Sequence, residues 1–310
     1  MHEHSASGAN TFAAMPSPEM QQVIDFLRMT AAPAGTVPTI EESRQALDAM
    51  AGAFPVPGDV TGTPLEVAGR PCERHTPESP EDGLVLYLHG GAYVAGSLDS
   101  HRSLCARLAQ ATAREVLAVD YRLAPEHPFP AGLDDAVAVY RDVLASGRDA
   151  PQVVVAGDSA GGGLAAALLL RLRDERDPRP AGAVLLSPWL DLTMTADAVT
   201  SRAETDPMLR EATLRRSAAA YAGEDLRHPL VSPVFADPAG LPPLLVLVGT
   251  AEILLDDSRT FAERAAAAGV EVECDVEDDM PHVWPAIDGP PESAAAMQRI
   301  GAWVRSRLGA

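Results

Sequence analysis

No lysine occurs anywhere in the 310 residues, so every one of the 24 basic side chains is an arginine. That absence removes Schiff-base chemistry and a phosphate-loop lysine together. Positive charge is also scarce relative to negative: 44 acidic residues leave a formal net charge of −20. Nucleic acid and anionic membrane surfaces would be repelled and are not expected partners. The three cysteines, Cys72, Cys105 and Cys274, are too few and too scattered for a disulfide framework or a zinc site. A reducing compartment, the cytoplasm, is therefore the expectation. The opening MHEHSASGAN has no basic segment leading into an apolar run and does not read as a secretory signal. The longest apolar run, LAAALLL at 164–170, is far short of a membrane span, so no integral membrane association is expected.

What is present is a hydrophobic content of 46% with 22% charge, enough for one large α/β domain and a small appended cap. Residues 1–18 read as a loose tail. Helix-like stretches follow near 19–30 and 40–54, with Met20, Ile24, Leu27, Leu47, Met50 and Phe54 at helical spacing. Pro and Gly clusters at 55–64 separate these from the rest, giving a tail and cap helices over 1–55 and a catalytic domain over 56–310. From 84 onward short β-rich runs predict strands at 84–88, 116–119, 153–156, 183–187, 244–248 and 270–276. Helical segments near 101–112, 133–145, 160–175, 256–268 and 292–308 separate most of them. Continuous apolar strands alternating with helices imply a mostly parallel sheet covered on both faces. The polar stretch near 191–225 breaks the rhythm and reads as a cap insertion. There is no internal repeat.

Gly157-Asp158-Ser159-Ala160-Gly161 fits the pattern G-x-S-x-G. Its setting matters more than its letters, because VVVA runs straight into it and GGLAAALLLRLRDER runs out as a helix. A sharp strand-to-helix turn strains the serine backbone and lifts its Oγ above the sheet, making Ser159 a candidate nucleophile. The emerging helix N-terminus brings positive potential to a developing oxyanion. His89-Gly90-Gly91-Ala92-Tyr93 directly follows the strand at 84–88. A glycine loop in that place turns amides toward the substrate oxygen, so Gly90, Gly91 and Ala160 are expected as three oxyanion donors. Asp158, beside the nucleophile, reads as a structural hydrogen-bonding group rather than a second catalytic acid.

HGGAY, DYRLAPEHPFPAGLDD (120–135), GDSAGG (157–162) and LSPWLDL (186–192), in that order, resemble the bacterial hormone-sensitive-lipase family of esterases. The resemblance covers roughly residues 55–305. It implies an α/β-hydrolase core, a cap built largely from N-terminal helices, no cofactor and no metal. It also implies a short- to medium-chain carboxylic ester as the small-molecule substrate, Ser159 as nucleophile and His282 as base. The chain order of such folds, serine then acid then histidine, agrees: His282 in MPHVW follows the last expected strand, and no other histidine has that position. For the acid, the sequence reads TAEILLDD where the family pattern resembles A-E-Y-D-P-L-R-D. Keeping LPP (241–243) and FAER (261–264) in family register without a gap puts Glu252 on the acid position, with Asp256 as the alternative. Asp256 and Asp257 otherwise read as first-turn helix carboxylates.

Tyr93, Trp189, Met208, Ile253 and Val283 are candidates to border the substrate. The apolar stripe on the N-terminal helices either packs on its own domain or forms a lid. Rival functions are a lactone hydrolase or peptidase using the same groups, or a binding protein on this fold that has lost catalysis. A homodimer is compatible with this reading.

Overall fold

The computed structural model describes residues 15–31, 35–51 and 54–309. Of the expected tail, residues 1–14 lie outside the described range, as does the side chain of Met50. Eight strands form one sheet in the order β1-β2-β4-β3-β5-β6-β7-β8. Strands β3 (Leu84–Leu88), β4 (Glu115–Val119), β5 (Val153–Asp158), β6 (Gly182–Leu186), β7 (Leu244–Gly249) and β8 (Val272–Glu277) are mutually parallel. These are the β-rich runs read from the sequence, with ends shifted by a residue or two. The expected strand at 183–187 stops at Leu186, because Ser187 turns to φ +44.

Alternate strand residues feed two cores, as the pleat requires. Leu84, Leu86 and Leu88 face one core with residues of α4 (Ala131–Ala145), α5 (Ser159–Glu175) and α8 (Leu255–Ala267). Val85 and Tyr87 face the other, with α3 (Leu98–Thr112), α9 (Pro291–Leu308) and Met20 and Ile24 of α1 (Pro18–Thr30). Full burial of each such Val or Leu contributes roughly 1.5–3 kcal/mol, so both helical layers are held by the central strands.

A hairpin at the sheet edge was not expected. β1 (Val60–Val67) and β2 (Arg70–Pro77) pair antiparallel, and β2 joins β4. Gly62, Pro64 and the polar residues of β1 carry no apolar run; only Val60 and Val67 at its ends are buried. A Pro in a strand belongs at such an edge, where its missing N–H breaks no inner ladder.

The N-terminal helices are tied down by polar contacts. Ser17 caps α1, accepting from the amide of Met20 at 3.1 Å, and donates its own hydroxyl to Glu292 at the start of α9 at 2.8 Å. α2 (Ile40–Ala51) starts with a reciprocal Thr39–Glu42 cap. Its Arg44 reaches the carbonyls of Val94 and Ala124 at 2.8 and 3.1 Å, just beyond the glycine loop that follows β3. The stretch 191–225 contains two helices, α6 (Asp197–Ser201) and α7 (Glu211–Ala222). Among the described residues, no helix is long and apolar enough to cross a membrane.

Candidate active site

The β5–α5 junction bends sharply at Ser159, whose φ is +53. The turn is permitted by glycine on either side: a Cβ on Gly157 would run into the Gly161 carbonyl, and one on Gly161 into the carbonyls of Leu88 and His89. The backbone strain is local and sits under the serine side chain. Ser159 Oγ lies 2.9 Å from Nε2 of His282. His282 lies in the loop after β8, and its Nδ1 is 2.7 Å from Oε2 of Glu252. Glu252 occupies the turn between β7 and α8 and is fully buried. Its other oxygen, Oε1, accepts from the amide of Gly249 and the hydroxyl of Ser187, both at 2.7 Å. Serine, imidazole and carboxylate therefore form a hydrogen-bonded line at the carboxyl ends of β5, β7 and β8.

Burial by itself would lower the pKa of His282. The charge of Glu252 and its hydrogen bond, with Asp206 and Asp158 acting from further away, outweigh this, and the imidazole is held above its ordinary 6.5. Asp256 and Asp257 stand in the first turn of α8. Asp256 accepts from the amide of Ala198 at 2.7 Å, and Asp257 from those of Leu190 and Asp191, both at 2.8 Å. Neither hydrogen-bonds to the imidazole.

The glycine loop departs from the three-donor expectation. The N–H of Gly90 donates to Oδ1 of Asp158 at 2.9 Å rather than pointing free toward a substrate. That oxygen also accepts from the Tyr87 hydroxyl at 2.6 Å and lies 3.4 Å from Nε2 of His101. A buried carboxylate demands such partners, and it attracts the nearest available amide. Gly91 and Ala160 remain as the amides of the expected set with no protein acceptor of this kind. His89 stacks on Tyr121 with ring centroids 4.3 Å apart, while the Tyr121 hydroxyl donates to the His89 carbonyl at 2.6 Å.

Four of the five candidate substrate-bordering residues are packed in the hydrophobic core. Trp189 is completely buried, with its Nε1 donating to the Asp191 carbonyl at 3.1 Å. Tyr93 is buried and stacked on Tyr221 at 3.9 Å. Tyr93 lies two residues after Gly91 and Trp189 two after Ser187, and both pack in the same core. Ile253 is likewise buried, and its amide donates to Asp206 at 2.9 Å. Val283, next to His282, is buried at φ +52. Met208 is the one of the five that is exposed. Ser187 and Asp206 escaped the sequence reading. LSPWLDL contains Ser187 and TDPML contains Asp206, yet nothing local to either stretch signals a contact with the acid turn. Among the described residues, no cluster of His, Cys, Asp or Glu has a metal-binding arrangement.

Residues 85–286 match a family model described as alpha/beta hydrolase fold. An acetyl-hydrolase of Streptomyces hygroscopicus is 41% identical over 300 residues, covering 95% of this chain and 99% of the relative. A crystal structure of an esterase from the bacterial hormone-sensitive lipase family superposes with a TM-score of 0.89. It shares 43% identity, and the match covers 96% of this chain and all of that one (100%). A structure of EstE5 soaked with p-nitrophenyl butyrate superposes at 0.91, with 41% identity, covering 95% of this chain and 100% of that one.

Proposed function

As this chain belongs to the α/β-hydrolase family, within its hormone-sensitive-lipase branch, and is a serine carboxylic ester hydrolase, we propose that Ser159, His282 and Glu252 carry the reaction. The observation that supports this reading most is the unbroken line from Ser159 Oγ through His282 to Glu252, at 2.9 and 2.7 Å. His282 takes the serine proton as Oγ attacks the ester carbonyl. Glu252 accepts the Nδ1–H, which keeps Nε2 free as the base and stabilises the imidazolium that forms. The amides of Gly91 and Ala160 receive the oxyanion, aided by the N-terminus of α5. Collapse of the tetrahedral intermediate expels the alcohol, protonated by His282, and leaves an acyl group on Ser159. Water, activated by the same imidazole, then releases the acid. No step draws on a metal or an organic cofactor.

The substrate proposed is a neutral ester of short to medium acyl length. An acetyl-hydrolase relative and a neighbour soaked with p-nitrophenyl butyrate support that range. The net charge of −20 disfavours anionic esters. Residues 1–55 and the insertion near 191–225 are proposed to cap the catalytic domain, with Met208 on the substrate side. Cys72, Cys105 and Cys274, all free, fit a reducing, cytoplasmic location.

The test is Ser159→Ala with a fluorophosphonate probe. The variant should lose about 10⁴-fold or more in kcat, keep its melting temperature and fail to label. Activity within tenfold of the wild type would remove Ser159 from the mechanism. A lactone panel run beside simple esters separates the lactonase alternative, which uses the same groups.

A further inference from the structure

Ser159 (+53), Ser187 (+44) and Val283 (+52), around the proposed triad, are among the non-glycine residues with positive φ. The first belongs to the nucleophile turn. The other two lie 96 residues apart and meet at a single atom. Ser187 directly follows β6 and is fully buried. Its Oγ donates to Oε1 of Glu252 at 2.7 Å and accepts from the amide of Val283 at 3.0 Å. The direction of both bonds is forced. An amide can only donate and a carboxylate can only accept, so the hydroxyl proton must point to Glu252. One oxygen thus fastens the acid turn after β7 to the base loop after β8.

The geometry assigns to Ser187 the role of a positioning residue that sets Glu252 and His282 in register. The assignment rests on the triad proposed above. A β-branched residue at φ +52 is strained, and Val283 carries the peptide immediately after the base. Without an acceptor for its amide, that peptide is free to relax and swing the imidazole away from Oγ. Without the hydroxyl donor, Glu252 Oε1 keeps only the Gly249 amide, and the carboxylate is free to rotate. Both losses act on the alignment of the imidazole, which catalysis needs to within fractions of an ångström. Neither loss touches the substrate. Ser187 is itself kept in a left-handed conformation, a cost that a glycine would remove.

The last point gives a clean experiment. Ser187→Ala and Ser187→Gly both delete the hydroxyl, but only glycine relieves the backbone. If the hydroxyl positions the triad, both variants lose about 10- to 100-fold in kcat on p-nitrophenyl acetate with KM nearly unchanged, although Ser187→Gly melts no lower than Ser187→Ala. The acidic limb of the pH–rate profile moves downward in both, because a Glu252 carboxylate that has turned away no longer holds the imidazole above its ordinary value. Ser187→Gly retaining wild-type kcat and an unmoved pH profile overturns the assignment, and so does a loss confined to thermal stability. Ser159→Ala, run alongside, keeps the two readings apart. An inactive Ser159→Ala with a fully active Ser187→Gly sinks only the positioning role, whereas an active Ser159→Ala sinks the triad itself.

Discussion

The amide of Gly90 donates to Oδ1 of Asp158 at 2.9 Å, tying the loop after β3 to the residue that precedes Ser159. Burial alone would raise the Asp158 pKa. The charge of His101 and hydrogen bonds from His101, Tyr87 and Gly90 outweigh it and hold the carboxyl at about 2, against an ordinary 3.8. A carboxylate whose pKa is lower folded than unfolded stabilises the fold above its unfolded value. That contribution fades as pH falls through the folded value.

Asp158→Asn is therefore expected to cost about 2 kcal/mol at neutral pH, at roughly 1.4 kcal/mol per unit of displacement. The gap between wild type and variant should close between about pH 4 and pH 2. Urea unfolding at stepped pH measures it, and a gap that stays constant down to pH 2 would contradict the assignment of charge to Asp158.

Glu252→Gln should lower kcat by about 10³–10⁴, because an amide at that place favours the wrong imidazole tautomer. Asp256→Asn, whose parent side chain serves the amide of Ala198, should stay within tenfold of wild type. Steady-state kinetics on one p-nitrophenyl ester decide between them, and the reverse ranking would move the acid role to Asp256.

With His282 held above 6.5, chiefly by Glu252 against the opposing effect of burial, kcat/KM should rise with pH through a limb centred above that value. Imidazolium cannot accept the serine proton, so activity is lost on the acid side. Chelators should leave the profile unchanged. A limb centred below pH 6 would mean that another group controls the rate.

Across a p-nitrophenyl series, kcat/KM should peak at acyl groups of about two to eight carbons and fall toward palmitate. A maximum at palmitate would instead require an acyl channel open to long chains.

The sequence by itself determined the inner strands β3, β5, β6 and β7, because each is an apolar run that only a doubly covered sheet can bury, whereas β8 (VECDVE) showed itself by β-branched residues and its place after α8. It also placed Ser159 at a strand–helix turn, since Gly157 and Gly161 are needed where the two elements nearly touch. Chain order and the register of the resembled family put His282 and Glu252 forward, with Asp256 left as the alternative acid. Tertiary structure decided the rest. The β1–β2 hairpin has no apolar run to announce it, as an edge strand buries little. Trp189 and Tyr93 lie two residues from Ser187 and Gly91, and only the packing shows that their rings are buried in the core. The partner of the Gly90 amide and the two bonds of Ser187 join segments 65 or more residues apart. Contacts of that kind arise only when the ends of β3, β5, β6, β7 and β8 are brought side by side, and no local pattern records them.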